Sequence, residues 1–144
     1  MCSSDLVVGE RLTTYRAALA AHGHAYAPHR VGAARAFMVT NTAAEKEAAL
    51  ERRFQAQQRM ASVSNDASGR NASSIMSFPD ARDASAESAL YGTPDEICAK
   101  LERLQAMGVD YVLLNGGGTS RENLRRFARE IMPIFRDRPA AAAQ

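Results

Sequence analysis

A helix, a short strand and a second helix follow one another in residues 93–136, and this unit constrains the fold more than any other part of the chain. The sequence TPDE at residues 93–96 is a capping box, in which the Thr hydroxyl and the Glu carboxylate bind backbone N–H groups at a helix start. Gly108 is a typical helix terminator, and the apolar stretch VDYVLLN follows it as a buried strand. The helix carries an apolar stripe of Ile97, Leu101 and Leu104. Helices that alternate with strands in this way predict an α/β fold with parallel strands.

Three glycines, Gly116, Gly117 and Gly118, join this strand to the next helix. A glycine-rich turn before a helix offers free backbone N–H groups at the positive end of the helix dipole, where phosphate groups bind. The stretch lacks the G-x-G-x-x-G spacing, because position 121 is Arg, and it lacks the lysine of a P-loop. The residues alone leave two interpretations, a phosphate cradle and a plain turn, and they favour the turn.

Two further capping boxes begin at Thr42 and Thr119. The first predicts an alanine-rich helix to about Ser62. The second predicts a helix that Pro133 kinks or ends. The apolar stripe of this last helix consists of Leu124, Phe127, Ala128, Ile131 and Phe135.

The amino-terminal part predicts one helix over Glu10–His22 and one buried strand over Val31–Thr40. Alternation along the strand places Arg35 in an apolar row with Phe37. A cation in such a row is either a functional residue that points into a site or a structural arginine with a partner. Buried charges usually occur as pairs, which favours the structural interpretation.

Residues 63–91 lack a sustained apolar period and are rich in Ser, Asn, Asp and Ala. A structureless span of this length is usually either a functional lid or disorder, and both interpretations stay open. Residues 137–144 are expected to form a disordered tail.

Composition excludes several classes of function. The net charge of +2, from 18 basic and 16 acidic residues, gives no reason to expect a nucleic acid or an anionic membrane as a partner. Two cysteines provide no disulfide framework, so a cytoplasmic setting is expected. No apolar run has membrane-spanning length. The three histidines lie without further ligands at metal-binding spacing, so we expect no metal site.

The segment from Tyr91 to Phe135 resembles the carboxyl-terminal end of the bacterial luciferase-like flavin-dependent monooxygenases. That family ends with a Gly-Thr/Asp-Pro-x-Glu cap, a helix that closes on Gly-Val/Ala-Asp, a short apolar strand and a helix with Phe-Ala-x-Glu-Val/Ile-Met-Pro. Residues 92–96, 108–110, 111–114 and 127–133 match these motifs in order. Residues 9–50 resemble the preceding helix, strand and capped helix of the family more loosely.

The resemblance implies the carboxyl-terminal fragment of a TIM (β/α)8-type barrel with residues 63–91 as its long insertion loop. It implies reduced FMN, or the deazaflavin coenzyme F420 used by some relatives, at the carboxyl ends of the strands. Oxygen and a small organic substrate would be the reactants, a flavin reductase would be a partner, and the full-length protein would form a homodimer. Residues Asn115, Gly116 and Gly117 would then face the flavin, and Arg35 is a further candidate for flavin binding.

The chain departs from the family because a complete barrel needs eight strand–helix units in about 250 residues, whereas the sequence predicts two strands. The resemblance therefore assigns no catalytic residue here, and the fragment alone is expected to be inactive. The alternative is a small non-catalytic α/β module for interaction or regulation.

Residues 1–6, MCSSDL, carry a separate expectation. The codons GTG-TGC-TCT-TCC-GAT-CT would encode them, and this run matches the end of a common short-read sequencing adaptor. We expect an assembly artefact here, the alternative being a genuine polar tail. Sequencing of the native locus should show a gene that continues in frame upstream of Val7, and a start codon followed by these six residues would contradict this.

Overall fold

A computed structural model describes residues 3–64, 82–115 and 120–136 of the chain, and these residues form a mixed α/β fold. The helices are α1 (Ser3–Ala21), α2 (Ala43–Ser64), α3 (Arg82–Glu87), α4 (Pro94–Ala106), α5 (Arg121–Glu130) and α6 (Met132–Arg136). A short 3-10 helix spans Pro28–Arg30. The strands are β1 (Gly32–Val39), β2 (Leu90–Gly92) and β3 (Tyr111–Asn115).

The three strands form one parallel sheet in the order β2-β1-β3. The amino-terminal five residues of β1 pair with β3, from Gly32 beside Tyr111 to Ala36 beside Asn115. The last three residues of β1 pair with β2 on the other edge, from Phe37 beside Leu90 to Val39 beside Gly92. The central strand is therefore the first in the chain, and it alone holds the other two together.

Helices α4 and α5 cover one face of the sheet. Phe37 of β1 packs edge-on against Phe127 of α5, with ring centroids 5.1 Å apart. Ile97 of α4 and Ile131 are fully buried in the same cluster. Helix α5 is held to the sheet because a single apolar stripe meets β1, while Arg125 and Arg129 are exposed and Arg126 is half-buried.

Helix α2 covers the opposite face at the β2 side. Ala49 and Leu50 pack with Tyr91, and Met38 of β1 packs against this cluster. The alternation of Leu90 and Tyr91 between the two clusters explains why a strand of three residues is buried on both faces.

Helix α1 closes the amino-terminal end of the sheet. Leu12 packs with Leu104 and Val109 in a third cluster, with Ala33 beside them. Tyr26 donates a 2.5 Å hydrogen bond from its hydroxyl to the carbonyl of Gly108, while the Arg16 guanidinium lies 4.3 Å from the centroid of the Tyr26 ring. These contacts join the first and fourth helices across the core.

Residues 82–91, at the end of the predicted insertion loop, contain α3 and most of β2, whereas the sequence predicts no regular structure there. Arg82, the first residue of α3, binds Glu47 at 2.6 Å and Glu51 at 3.1 Å on α2. Lys100 of α4 donates from Nζ to the carbonyl of Ala89 at 2.6 Å. These long-range contacts create a third strand, whereas the sequence predicts two. Residues 65–81, the rest of the predicted lid, lie outside the described residues, as do residues 137–144 of the predicted tail.

Helix boundaries agree with the predicted caps in two cases and differ in a third. Thr93 accepts from the N–H of Glu96, and the Glu96 carboxylate accepts from the N–H of Thr93, which confirms the predicted box. Thr42 accepts from the N–H of Glu45 as predicted, although the carboxylate of Glu45 binds the N–H of Asn41. The third cap is Ser120, not Thr119, because its hydroxyl accepts from Asn123.

Two other helix predictions need correction. Helix α1 begins at Ser3 rather than at Glu10. In α5 the predicted stripe is only partly buried, since Leu124 is 53% exposed. The predicted break near Pro133 is confirmed, because α5 ends at Glu130 and α6 begins at Met132.

Gly92 shows why glycine precedes the TPDE cap. Its φ is +148°, and a Cβ at this position would collide with the Glu96 carboxylate that closes the capping box. The same carboxylate binds the Nζ of Lys46 at 2.7 Å, so it cannot move aside without losing two partners. Position 92, between β2 and α4, therefore accommodates glycine and no residue with a Cβ atom.

We predict that Gly92→Ala lowers the free energy of unfolding by about 2–4 kcal/mol, because backbone strain and the lost cap act together. Gly23→Ala is the matched control, since Gly23 also has a positive φ, of +73°, but nothing lies within 4 Å of its Cβ position. That variant should lose about 1 kcal/mol. Urea unfolding measures both, and equal losses would show that the collision with Glu96 has no role.

Candidate functional site

The carboxyl ends of the three strands lie at one edge of the sheet, because the strands are parallel. Thr40 follows β1, Thr93 follows β2 and Asn115 ends β3. The N–H of Thr40 donates to the carbonyl of Gly92 at 2.8 Å, which joins the first two of these ends. Open α/β sheets bind ligands at this edge, so it is the first place to look for a site.

Asn123 of α5 fastens the helix to the end of β1. Its Nδ2 donates to the carbonyl of Val39 at 2.8 Å, and its Oδ1 accepts from the N–H of Val39 at 2.9 Å. The side-chain amide thus takes the position of a neighbouring strand where β3 has already ended. Arg126 also donates to the Val39 carbonyl, at 3.4 Å.

These two hydrogen bonds between Asn123 and Val39, called the clamp below, bring the amino terminus of α5 to the carboxyl edge of the sheet. The described residues on either side of the glycine turn both lie along β1, with Asn115 beside Ala36 and Asn123 at Val39. Ser120 caps the helix and leaves its positive end at this edge. The arrangement suits a ligand with negative charge or carbonyl oxygens near the strand ends.

Thr40 contributes a buried hydroxyl at the same edge. Its side chain is 4% exposed, and within the described ranges Oγ1 has no hydrogen-bond partner. A buried hydroxyl without a partner lowers stability by about 1–3 kcal/mol, so such a group normally bonds to a water molecule, an ion or a ligand. At this edge, the hydroxyl of Thr40 is therefore the group for which we expect a hydrogen bond to a ligand or a water molecule.

Lys46 and Glu96 tie the first turns of α2 and α4 together beside this edge. The 2.7 Å contact with Lys46, followed by the hydrogen bond from the Thr93 backbone, lowers the pKa of Glu96 below its usual value of 4.5. Glu96 is therefore ionised at neutral pH and acts as a structural joint, since both of its oxygens have partners.

The predicted site residues do not all come together. Asn115 is exposed at the end of β3, in register with Ala36. Arg35 is one position earlier, beside Leu114, and neighbouring positions of a strand point to opposite faces. The structure thus separates Arg35 from Asn115, and Nη1 of Arg35 donates to the carbonyl of Ala34 at 3.0 Å. Gly116 and Gly117 lie outside the described residues.

Metal ligands and membrane spans give two further findings. Among residues 3–64, 82–115 and 120–136, no three His, Cys, Asp or Glu side chains lie close enough together to hold a metal ion. No helix in these ranges combines the length and apolar character needed to cross a membrane.

Comparisons with protein-family models, with curated proteins and with solved structures gave no match for this chain.

Sequence reasoning missed the two residues that define the geometry of this edge. Thr40 could have been recognised from the sequence, because it is a polar residue directly after an apolar strand. Asn123 could not, since an asparagine in the first turn of a helix is common and its partner Val39 is 84 positions away.

We predict that Asn123→Leu lowers the free energy of unfolding by about 1–3 kcal/mol, because the Val39 N–H and carbonyl each lose a partner. The Val39 amide should then exchange faster with solvent. Glu122→Ala, an exposed change in the same turn of α5, is the control. Unchanged protection of the Val39 amide in the Leu variant would contradict the clamp.

A second prediction follows from the lowered pKa of Glu96. A carboxylate with a lowered pKa in the folded state stabilises the fold above pH 4.5, and the effect is lost as pH falls through the folded value. Glu96→Gln should therefore lower stability at pH 7 by about 0.5–1 kcal/mol, since Gln keeps the capping geometry but loses the ion pair with Lys46.

The stability difference between Glu96→Gln and the unchanged chain should shrink as pH falls below 4.5. Thermal unfolding over a pH series measures it, with Glu10→Gln as the control because Glu10 has no ion pair in the described part of the chain. A difference that is constant with pH would contradict the ion pair.

Proposed function

We propose that this chain is the carboxyl-terminal part of a luciferase-like flavin-dependent oxidoreductase, which uses reduced FMN and oxygen to oxidise a small organic substrate. The observation that carries the proposal is the common direction of the three parallel strands, whose carboxyl ends and the amino terminus of α5 lie toward the same end of the sheet, with Thr40 after β1 and Asn115 at the end of β3. The sequence motifs that resemble the family lie in the strands that end at this edge and in the helices and turns packed beside them.

The parallel pairing of β1 with β3 is compatible with a barrel. The two strands lie side by side over five residue pairs with α4 packed on their shared face, although β2 lies between them in the chain and α2 covers the opposite face of the sheet. β2 pairs only with the last three residues of β1 and would lie at the rim. In a barrel, the edge of β3 away from β1 would pair with a further strand.

That edge of β3 is suited to such pairing. Within the described part, β3 has a strand partner on one side only. The face of β3 that carries Tyr111 and Leu113 is also uncovered, since these side chains are 56% and 55% exposed. A cleft of about 770 Å³ runs beside it, lined mainly by apolar side chains such as Val112, Leu114 and Phe135. Parallel sheets are normally buried, so this edge favours a fold with more strands.

We propose that residues at the strand ends bind one side of a flavin. Thr40 offers a buried hydroxyl without a described partner, Asn115 an exposed amide, and α5 a positive helix end. The flavin would supply the oxidation–reduction chemistry. These residues would bind and orient its polar groups, and the described residues assign no proton transfer to any side chain.

The experiment compares Thr40→Val with the unchanged native full-length protein. Valine has nearly the shape of threonine and removes only the hydroxyl, so we expect the affinity for FMN to fall about tenfold. Stability without FMN should stay equal or rise, because a buried hydroxyl without a partner is removed. Fluorescence titration and urea unfolding measure the two effects.

Thr13→Val on α1 is the matched control, because it makes the same change in an exposed residue far from the strand ends. Full-length protein that binds neither FMN nor deazaflavin would overturn the proposed function. Flavin binding that is equally strong in the Thr40→Val variant would leave the function but remove Thr40 from the site.

The second candidate is a non-catalytic module that binds another protein chain, and the exposed edge of β3 favours it. This candidate predicts that the chain alone forms a stable species with a cooperative melt and no flavin affinity. Leu113→Lys, which places a charge in the exposed edge, should then abolish association in analytical ultracentrifugation.

A further inference from the structure

A second cleft lies at the opposite end of β1. It has a volume of about 500 Å³ and runs between α1 and the amino-terminal half of β1. Three arginines from three different elements line it: Arg11 of α1, Arg30 of the 3-10 helix and Arg35 of β1. Long-range folding, not local sequence, therefore brings these three cations together.

The described lining of this cleft carries positive charge and no negative charge. Among the described residues that line it, none is acidic. Within the described ranges, Arg11 and Arg30 form no ion pair. Other arginines in the chain do have carboxylate partners, as Arg82 has Glu47 and Arg126 has Glu130.

Physical chemistry makes such a cleft favourable for an anion. Guanidinium groups stay charged at every physiological pH, so Arg11 and Arg30, which line one cleft without a described carboxylate partner, favour the binding of a counter-charge. Their planar donors match the oxygens of phosphate, often with two parallel hydrogen bonds each. The volume lies in the range of small-molecule sites.

The remaining lining is apolar or aromatic. Leu12, Val31 and Val109 form part of the cleft, and Tyr15 lies beside Arg11 on the outer side. Tyr15 is 43% exposed, and its ring lies 6.4 Å from that of Tyr26 in an edge-on contact. Such a surface suits the carbon skeleton of a ligand whose charged group meets the arginines.

We propose that this cleft binds a small organic phosphate, with Arg11 and Arg30 holding the phosphate and the apolar side chains holding the organic group. The proposal does not rest on the flavin function, because the cleft lies at the amino-terminal half of β1 and Thr40 follows its other end.

The test uses the 144-residue chain and two probes, phenyl phosphate and inorganic phosphate, by calorimetric titration at low ionic strength. Phenyl phosphate should bind about tenfold more tightly, because the ring covers apolar surface. The double variant Arg11→Gln/Arg30→Gln should weaken phenyl phosphate binding at least about tenfold. Both arginines are exposed, so the variant is expected to fold, and circular dichroism checks this.

The double variant Arg52→Gln/Arg59→Gln is the matched control, since both are exposed arginines of α2 outside the cleft and the same two charges are removed. It should leave the affinity unchanged. An equal loss in this control would show attraction to net charge only and would overturn the proposal. Failure of both probes to bind at millimolar concentration would also overturn it, as would equal binding of phenyl phosphate by the double variant.

Discussion

The pairing of β1 with both other strands is the constraint on which the rest of the structure depends. The amino-terminal half of β1 pairs with β3 and its carboxyl-terminal end pairs with β2, so every hydrogen-bonded strand pair of the sheet includes β1. Its two faces also supply the contacts for all three apolar clusters. Helices far apart in the chain are thus positioned by one strand of eight residues.

Where the ladders of β1 end, one side chain and one backbone hydrogen bond continue them. Asn123 takes the place of a strand at Val39, and the N–H of Thr40 donates to the carbonyl of Gly92. The Glu96 carboxylate then joins α4 to α2 through Lys46. A small set of polar contacts consequently fixes the starts of three helices at one edge of the sheet.

Local rules predicted much of this fold because caps act over a few residues. The boxes at Thr42 and Thr93 could be identified from four letters each. β2 could not be, since the letters LYG have no period, and its burial depends on Leu50 and Ile97 of two separate helices. The sequence also predicted that parallel strands end at a shared edge of the sheet. It did not predict the register between β1 and β3, which places Arg35 beside Leu114 and on the opposite face from Asn115.

The same limit applies to the two proposed binding sites. Asn123 and Arg11 are ordinary polar helix residues until the fold brings Asn123 to Val39 and Arg11 to the cleft that Arg35 also lines. Sequence motifs carry the resemblance on which the proposed function rests, but only contacts between distant residues show which side chains lie at the strand ends.

The most direct measurement is an experimental structure of the native full-length protein with FMN bound. The proposed function predicts a closed barrel in which β3 gains a second strand partner and the flavin contacts Thr40 and Asn115 at the carboxyl ends of β1 and β3. A full-length structure in which the outer edge of β3 has no strand partner, or in which the flavin lies away from these strand ends, would contradict it.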